Sequence, residues 1–192
     1  MEHELFEEKH NDVSYHCKKM LFQKADIDEF MFIKDFYWNL IDLMSDQSDK
    51  IGWKKGIYPT DSFLKESLSK GELFTLKKDN QLYGCVILNS KCNEGYANIP
   101  WSIDCHQDDV LIPHVLAVSP KFQGMGIGKQ LVEEILKYAR SIYKKTVRLD
   151  ILGINDIAEK LYTKCGFHFV QAKTMFYEDT GWTEYKMFEL NL

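Results

Sequence analysis

Residues Val110 to Val132 read Val-Leu-Ile-Pro-His-Val-Leu-Ala-Val-Ser-Pro-Lys-Phe-Gln-Gly-Met-Gly-Ile-Gly-Lys-Gln-Leu-Val. A run of β-formers stops at Ser119-Pro120, a turn follows, and glycines at every second position (124, 126 and 128) lead into an apolar-periodic helix. A strand feeding a glycine-rich helix start frees backbone amides and aims the positive end of the helix dipole at the turn. That is a device for holding an anion such as a phosphate.

Outward from this stretch the chain alternates helix and strand signals. Downstream, the helix from about Gly126 to Tyr143 puts Ile127, Leu131, Ile135, Ala139 and Ile142 on its buried face. Thr146 to Ile151 alternates as a strand, with Val147, Leu149 and Ile151 on one side and Thr146, Arg148 and Asp150 on the other. Asn155 caps a short helix carrying Ile157, Ala158, Leu161, Tyr162 and Cys165, which ends at Gly166. Phe167 to Tyr177 and Thr183 to Leu190 read as two final strands. Upstream, Met20 to Lys24 reads as a strand, and Asp26 caps a helix from Ile27 to about Met44. Phe30, Ile33, Tyr37, Leu40, Ile41 and Met44 make its apolar stripe. Ser45 to Pro59 is a loop, and Thr60 or Asp61 caps a second helix that ends before Gly71. Leu73 to Lys77 and Gln81 to Asn89 form a hairpin, and Ser90 to Asp109 is irregular. The order is mixed α/β, and strand–helix–strand around the glycine loop implies a parallel crossover. Residues 1–19 read as a charged N-terminal extension and 20–192 as one domain.

Composition bounds the function. The 192 residues are 45% hydrophobic, 28% charged and 14% aromatic, which suits one packed core. A formal net charge of -5 recommends neither nucleic acid nor an anionic membrane as partner. No run approaches the roughly twenty apolar residues of a membrane span, and the charged start is no signal peptide. Five cysteines (Cys17, Cys85, Cys92, Cys105 and Cys165) without Cys-x-x-Cys spacing fit reduced thiols in a cytoplasm. The pairs His16-Cys17 and Cys105-His106 lack the spacing of metal ligands, so no metal is expected.

Three phosphate-binding patterns compete at the glycines. A dinucleotide fingerprint requires glycine where Lys129 stands. A P-loop requires glycine where Gln123 stands and a hydroxyl where Gln130 stands. The third pattern fits throughout: Gln123-Gly124-Met125-Gly126-Ile127-Gly128 resembles the Gln/Arg-x-x-Gly-x-Gly/Ala signature of the GNAT superfamily of acetyl-CoA-dependent N-acetyltransferases. Leu116-Ala117-Val118-Ser119-Pro120 resembles the end of that family's fourth strand. Asn155 with Tyr162-Thr163-Lys164-Cys165-Gly166-Phe167 resembles its second conserved block, Asn followed by Tyr-x-x-x-Gly-Phe. The resemblance is motif-level from about Val115 to Phe167 and follows element order from about Met20 to Leu190.

The resemblance implies a central mixed sheet of six to seven strands, splayed after the fourth strand near Val118, with helices on both faces. It implies acetyl-CoA as co-substrate, with its pyrophosphate on Gln123, Gly124, Met125, Gly126, Ile127, Gly128 and Lys129. The pantetheine arm would lie along Leu116, Ala117 and Val118 with a contact from Asn155, and an amide of Val118 or Ala117 would polarise the thioester. Transfer would be direct, in a ternary complex, to the amine of a small molecule or peptide. Tyr162 becomes the general acid, since a phenol stays protonated at neutral pH. His114, two residues before Leu116 and by alternation on the same face, is a candidate base; Asp104, Asp108 and Asp109 are weaker ones, and ordered water is an alternative. Cys165 reads as a packing thiol. Trp38, Trp53, Tyr58 and Trp182 correspond to the family's acceptor groove, where aromatics can hold an ammonium group. Family members often form homodimers, and a non-catalytic acyl-CoA sensor is the rival reading.

Overall fold

The computed structural model describes residues 20–45 and 51–192. The expected N-terminal extension with its His16-Cys17 pair, and part of the loop after the first helix, lie outside the described residues. The strands are β1 (Leu21–Lys24), β2 (Leu73–Lys78), β3 (Gln81–Asn89), β4 (Val110–Val118), β5 (Thr146–Leu152), β6 (His168–Tyr177) and β7 (Gly181–Asn191). The α-helices are α1 (Phe30–Leu43), α2 (Asp61–Ser69), α3 (Ile127–Ser141) and α4 (Asp156–Lys164).

The caps read from the sequence hold two of these helix starts, and Asp26 opens the 3-10 turn (Ile27–Glu29) that leads into α1. The Asp26 amide donates to Glu29 at 3.0 Å. Thr60 Oγ1 accepts from the Phe63 amide, and Asn155 Oδ1 from the Ala158 amide, each at 3.0 Å. The helix after the glycines stops at Ser141, one residue short of Ile142, which is therefore exposed instead of buried.

One seven-stranded sheet runs in the order β1-β2-β3-β4-β5-β7-β6. Only β4 and β5 are parallel, and they pair at just two positions, Val110↔Thr146 and Leu111↔Val147. The splay therefore opens beyond Leu111, well before the end of β4 at Val118, and leaves one edge of residues 112–118 without a strand partner. On one face α3 and α4 pack Leu131, Ile135, Ala139 and Tyr162 against Leu111, Val147 and Leu149. On the other, Ile33, Tyr37 and Leu40 of α1 and Leu64 and Leu68 of α2 cover Cys85, Ile87, Val115 and Ala117. Each fully buried Leu or Ile contributes roughly 1.5–3 kcal/mol, so the sheet is clamped from both sides of the splay.

The segment between β3 and β4, irregular as expected, is pinned across the second face by a buried ion pair. Arg148 Nε meets Glu189 Oε1 at 2.8 Å, Arg148 Nη2 donates to the Ile103 carbonyl at 2.6 Å, and Glu189 accepts from the Ser102 amide at 2.8 Å. Tyr96 and Ile99 pack there beside Ile112, Met175 and Met187. This anchoring delivers Cys92, Asn93 and Tyr96 to the mouth of the splay.

Candidate active site

Between Cys85↔Ala117 and Ile87↔His114 the β3–β4 register slips by one residue, so β4 carries a bulge at Val115–Leu116. Val115 has φ +46°, a left-handed conformation that a β-branched residue adopts only under constraint. The bulge inverts the alternation downstream. Val115 and Ala117 face α1 and α2, while Leu116 and Val118 pack with the α3–α4 cluster. His114 stays on the α2 side, its ring 6.4 Å from that of Phe63. The expectation that His114 and Leu116 share a face is thus overturned, because a bulge breaks the period of two.

The splay and the glycine loop form two joined spaces. A groove of about 560 Å³ runs along Leu116, Ala117 and Val118 and over Gln123, Gly124, Gly126, Ile127, Gly128 and Lys129. Gly124 (φ +77°) and Gly126 (φ +79°) take left-handed conformations, and a Cβ on either would meet nothing within 4 Å, so the loop presents bare backbone to the groove. Gly128 serves differently: its missing side chain lets Leu161 of α4 approach to 3.2 Å of the ideal Cβ position. No side chain caps α3, which leaves its first amides without intrahelical acceptors. Met125 is exposed and does not line the groove, although its backbone lies within the loop. Lys160 and Lys164, absent from the expected set, join Lys129 along the wall. They lie one helical turn apart on α4, a spacing that marks them as sharing a face once the groove is known.

The second space, a cavity of about 160 Å³, lies in the splay itself, between residues 112–116 of β4 and 150–152 of β5. Leu116, Asn155, Ala158 and Tyr162 border both spaces. His114, Trp53 and Tyr58 line the cavity. Trp38 does not: its ring stacks under Lys34 Nζ at 4.2 Å. Trp182 does not either, being largely exposed against Phe176. Asp109 pairs with Lys145 at 2.8 Å at the far end of β4, away from the cavity. Two carboxylates line the cavity, Asp179 of the β6–β7 turn and Asp150 of β5, the latter held by Tyr96 at 2.9 Å and Tyr177 at 2.8 Å. The alternation of β5 placed Asp150 off the Val147–Ile151 face, but the convergence of two tyrosines from distant segments left no local signal.

The family model of the acetyltransferase (GNAT) domain matches residues 69–169, more than half the chain, including the glycine loop and α4. The chain belongs to the GNAT family. It is 30% identical over 106 residues to the uncharacterised N-acetyltransferase YesJ of Bacillus subtilis (strain 168), a match that covers 55% of this chain and 58% of that protein. The chain thus spans somewhat over half of that curated relative. A GNAT-family acetyltransferase from Listeria monocytogenes 4b F2365 shares the fold with a TM-score of 0.70 at 18% identity, covering 90% of this chain and 95% of that one. Spermidine N-acetyltransferase from Vibrio cholerae, solved in complex with CoA and spermine, superposes with a TM-score of 0.64 at 17% identity, with 90% and 95% coverage.

Within this GNAT fold, burial governs the protonation of the cavity. It lowers His114 from 6.5 to about 4, so the imidazole is neutral at pH 7; its Nε2 lies 2.9 Å from Asn89 Oδ1. Burial also raises the Tyr162 hydroxyl further above the ordinary phenol value, with Cys165 and Asp150 adding to the effect. Asp150 is raised by burial, partly offset by its two phenol hydrogen bonds. Cys165 packs beside the α3–α4 core as a thiol raised by burial, in keeping with a packing role. Cys85, Cys92, Cys105 and Cys165 are all free. Among the described residues no His/Cys/Asp/Glu group could hold a metal, and no helix is long and apolar enough to cross a membrane.

Proposed function

We propose that this chain is an acetyl-CoA-dependent N-acetyltransferase that moves the acetyl group directly to a primary amine of a small molecule or peptide in a ternary complex. One observation carries the reading: Leu116, Asn155 and Tyr162 border both the glycine-loop groove and the splay cavity, so two ligands would meet at their side chains.

The residues present suit the coenzyme. The uncapped amides of α3, the bare backbone at Gly124 and Gly126, and Lys129, Lys160 and Lys164 offer donors and positive charge to a pyrophosphate. The unpaired edge of Leu116 to Val118 offers a strand-like partner to an amide-bearing arm. Acetyl-CoA supplies an activated thioester. The amine nitrogen bonds to the acetyl carbon, the carbon–sulfur bond breaks, and the sulfur takes a proton from Tyr162. The acceptor enters as an ammonium and gives up two protons, one to solvent before attack and one after the carbon–nitrogen bond forms, the second restoring the Tyr162 hydroxyl. An amide of Val118 or Ala117 stabilises the oxygen on which charge gathers. His114, kept neutral by burial, stands in the cavity as a route for the amine's proton; with a pKa of about 4 it passes that proton on to water. The free thiols fit a reducing, cytoplasmic setting.

The test is calorimetric titration with acetyl-CoA, followed by a thiol-release assay against a panel of amines. Saturable binding and amine-dependent thiol release are expected. No binding at millimolar coenzyme would overturn the proposal, and binding without release for any amine would favour the sensor.

A further inference from the structure

Among the described residues Asp150 has no counter-ion in the cavity. The two phenols that reach it, Tyr96 and Tyr177, both donate to Oδ2. Oδ1 has no hydrogen-bond partner among the described residues, and no lysine, arginine or histidine pairs with the carboxylate. Asp179, on the β6–β7 turn, lines the same space, and burial raises its pKa as well. Trp53, Tyr58 and Tyr185 form further walls. A half-buried carboxylate with one free oxygen, boxed by rings and beside a second acid, is complementary to a cation and hostile to an anion.

Size narrows the class further. About 160 Å³ is below the roughly 300–1,000 Å³ of ordinary ligand pockets. Three segments close on it. A Cβ on Gly52 would meet Thr180 Cγ2 at 2.7 Å, so the 51–58 segment sits hard on the β6–β7 turn. Thr180 and Tyr185 join hydroxyls at 2.6 Å, and Asn93 Nδ2 donates to the Phe176 carbonyl at 3.1 Å. These contacts narrow the space around Asp150 to the size of a small head group.

Resting on the acetyltransferase reading, we infer that the acceptor is a compact primary amine without a carboxylate, its ammonium group held by Asp150 Oδ1 within the ring of aromatics. The two phenols fix the carboxylate by one oxygen and leave the other to the ligand. Asp150 is then a substrate-binding residue, and Tyr96 and Tyr177 are positioning residues that act through it.

The experiment is calorimetric titration of the whole protein at pH 7, with and without saturating CoA. The probes are n-butylamine, sodium butyrate, n-butanol and an octapeptide with a free N-terminus. Butylammonium is expected to bind under both conditions, and the other three about tenfold more weakly or not at all. Asp150→Asn should weaken butylammonium about tenfold while CoA affinity is unchanged; Tyr96→Phe should weaken it about threefold. Equal binding of butanol or the octapeptide overturns the inference, as does an Asp150→Asn protein that binds butylammonium like the parent. Should Asp150→Asn fail to fold, unchanged butylammonium affinity in Tyr96→Phe overturns it instead. Failure of CoA to bind would count against the acetyltransferase reading alone, since the CoA-free titration decides the cavity independently.

Discussion

The buried hydroxyl of Tyr37 on α1 donates to the carbonyl of Val115 at 2.9 Å, at the residue where β4 bulges into a left-handed conformation. A valine at φ +46° costs of order 1–2 kcal/mol, so the surrounding structure must hold it there. Tyr37 is fully buried and its hydroxyl satisfies a carbonyl that the slipped β3–β4 register leaves aside. Tyr37→Phe keeps the ring and strands that carbonyl. Urea unfolding should show a loss of about 1–2 kcal/mol with an unchanged m-value. An unaltered midpoint would mean that the bulge is held by the sheet alone.

That bulge also marks the limit of what the sequence discloses. Caps at Thr60 and Asn155 and the glycine loop are local patterns that appear in the fold as read. The apolar stripes hold at their centres, Ile33, Tyr37 and Leu40 in α1 and Ile127 to Ala139 in α3, while their ends, Ile142 among them, are less covered. A one-residue slip between β3 and β4 is a property of the pair, and nothing in Pro113-His114-Val115-Leu116 announces it. His114 and Leu116 therefore face opposite sides of the sheet despite their even spacing. The Asp150–Tyr96–Tyr177 cluster was illegible on similar grounds, since its members come from β5, the β3–β4 segment and β6. Of the four aromatics that the resemblance points to, Trp53 and Tyr58 line the cavity, whereas Trp182, equally in a polar loop, stays exposed, so loop position alone does not say which ring turns inward.

Tyr162 borders both spaces and packs edge-on to Phe167 at 5.4 Å. Phenylalanine would preserve that packing and remove only the proton donor. Turnover of Tyr162→Phe in the thiol-release assay should fall roughly 10²-fold or more, with the calorimetric affinity for acetyl-CoA unchanged. Parent-like turnover would remove Tyr162 from the chemistry; parallel losses of binding and turnover would make it a structural residue.

His114 should leave a mark on the acid limb of stability. Its folded pKa of about 4 lies below the ordinary 6.5, so the unfolded chain binds the proton more readily than the folded one. The corresponding stability is complete above pH 6.5 and is lost as pH falls through about 4. At roughly 1.4 kcal/mol per pH unit this amounts to about 3 kcal/mol at most. His114→Gln has no titrating ring, so its urea midpoint should change less between pH 7 and pH 4.5 than that of the parent. Identical pH profiles for the two proteins would place the acid sensitivity elsewhere.

Gly126 and Gly128 look alike in the motif, yet they answer to different constraints. Gly126 caps α3 at φ +79° with open space where a methyl would stand, whereas Gly128 lies within the helix against Leu161. Alanine at 126 would cost about 1–2 kcal/mol in the left-handed conformation, or the backbone would relax and turn the first amides of α3 away from the groove. Alanine at 128 gains helix propensity of about 1 kcal/mol and presses on a flexible leucine end. Gly126→Ala should therefore raise the Kd for acetyl-CoA about tenfold or more, while Gly128→Ala changes it by less than about threefold. Calorimetry on both variants checks the contrast. Equal losses would mean that the loop acts through close approach alone, and an unaffected Gly126→Ala would show that the left-handed turn does not aim the amides at the ligand.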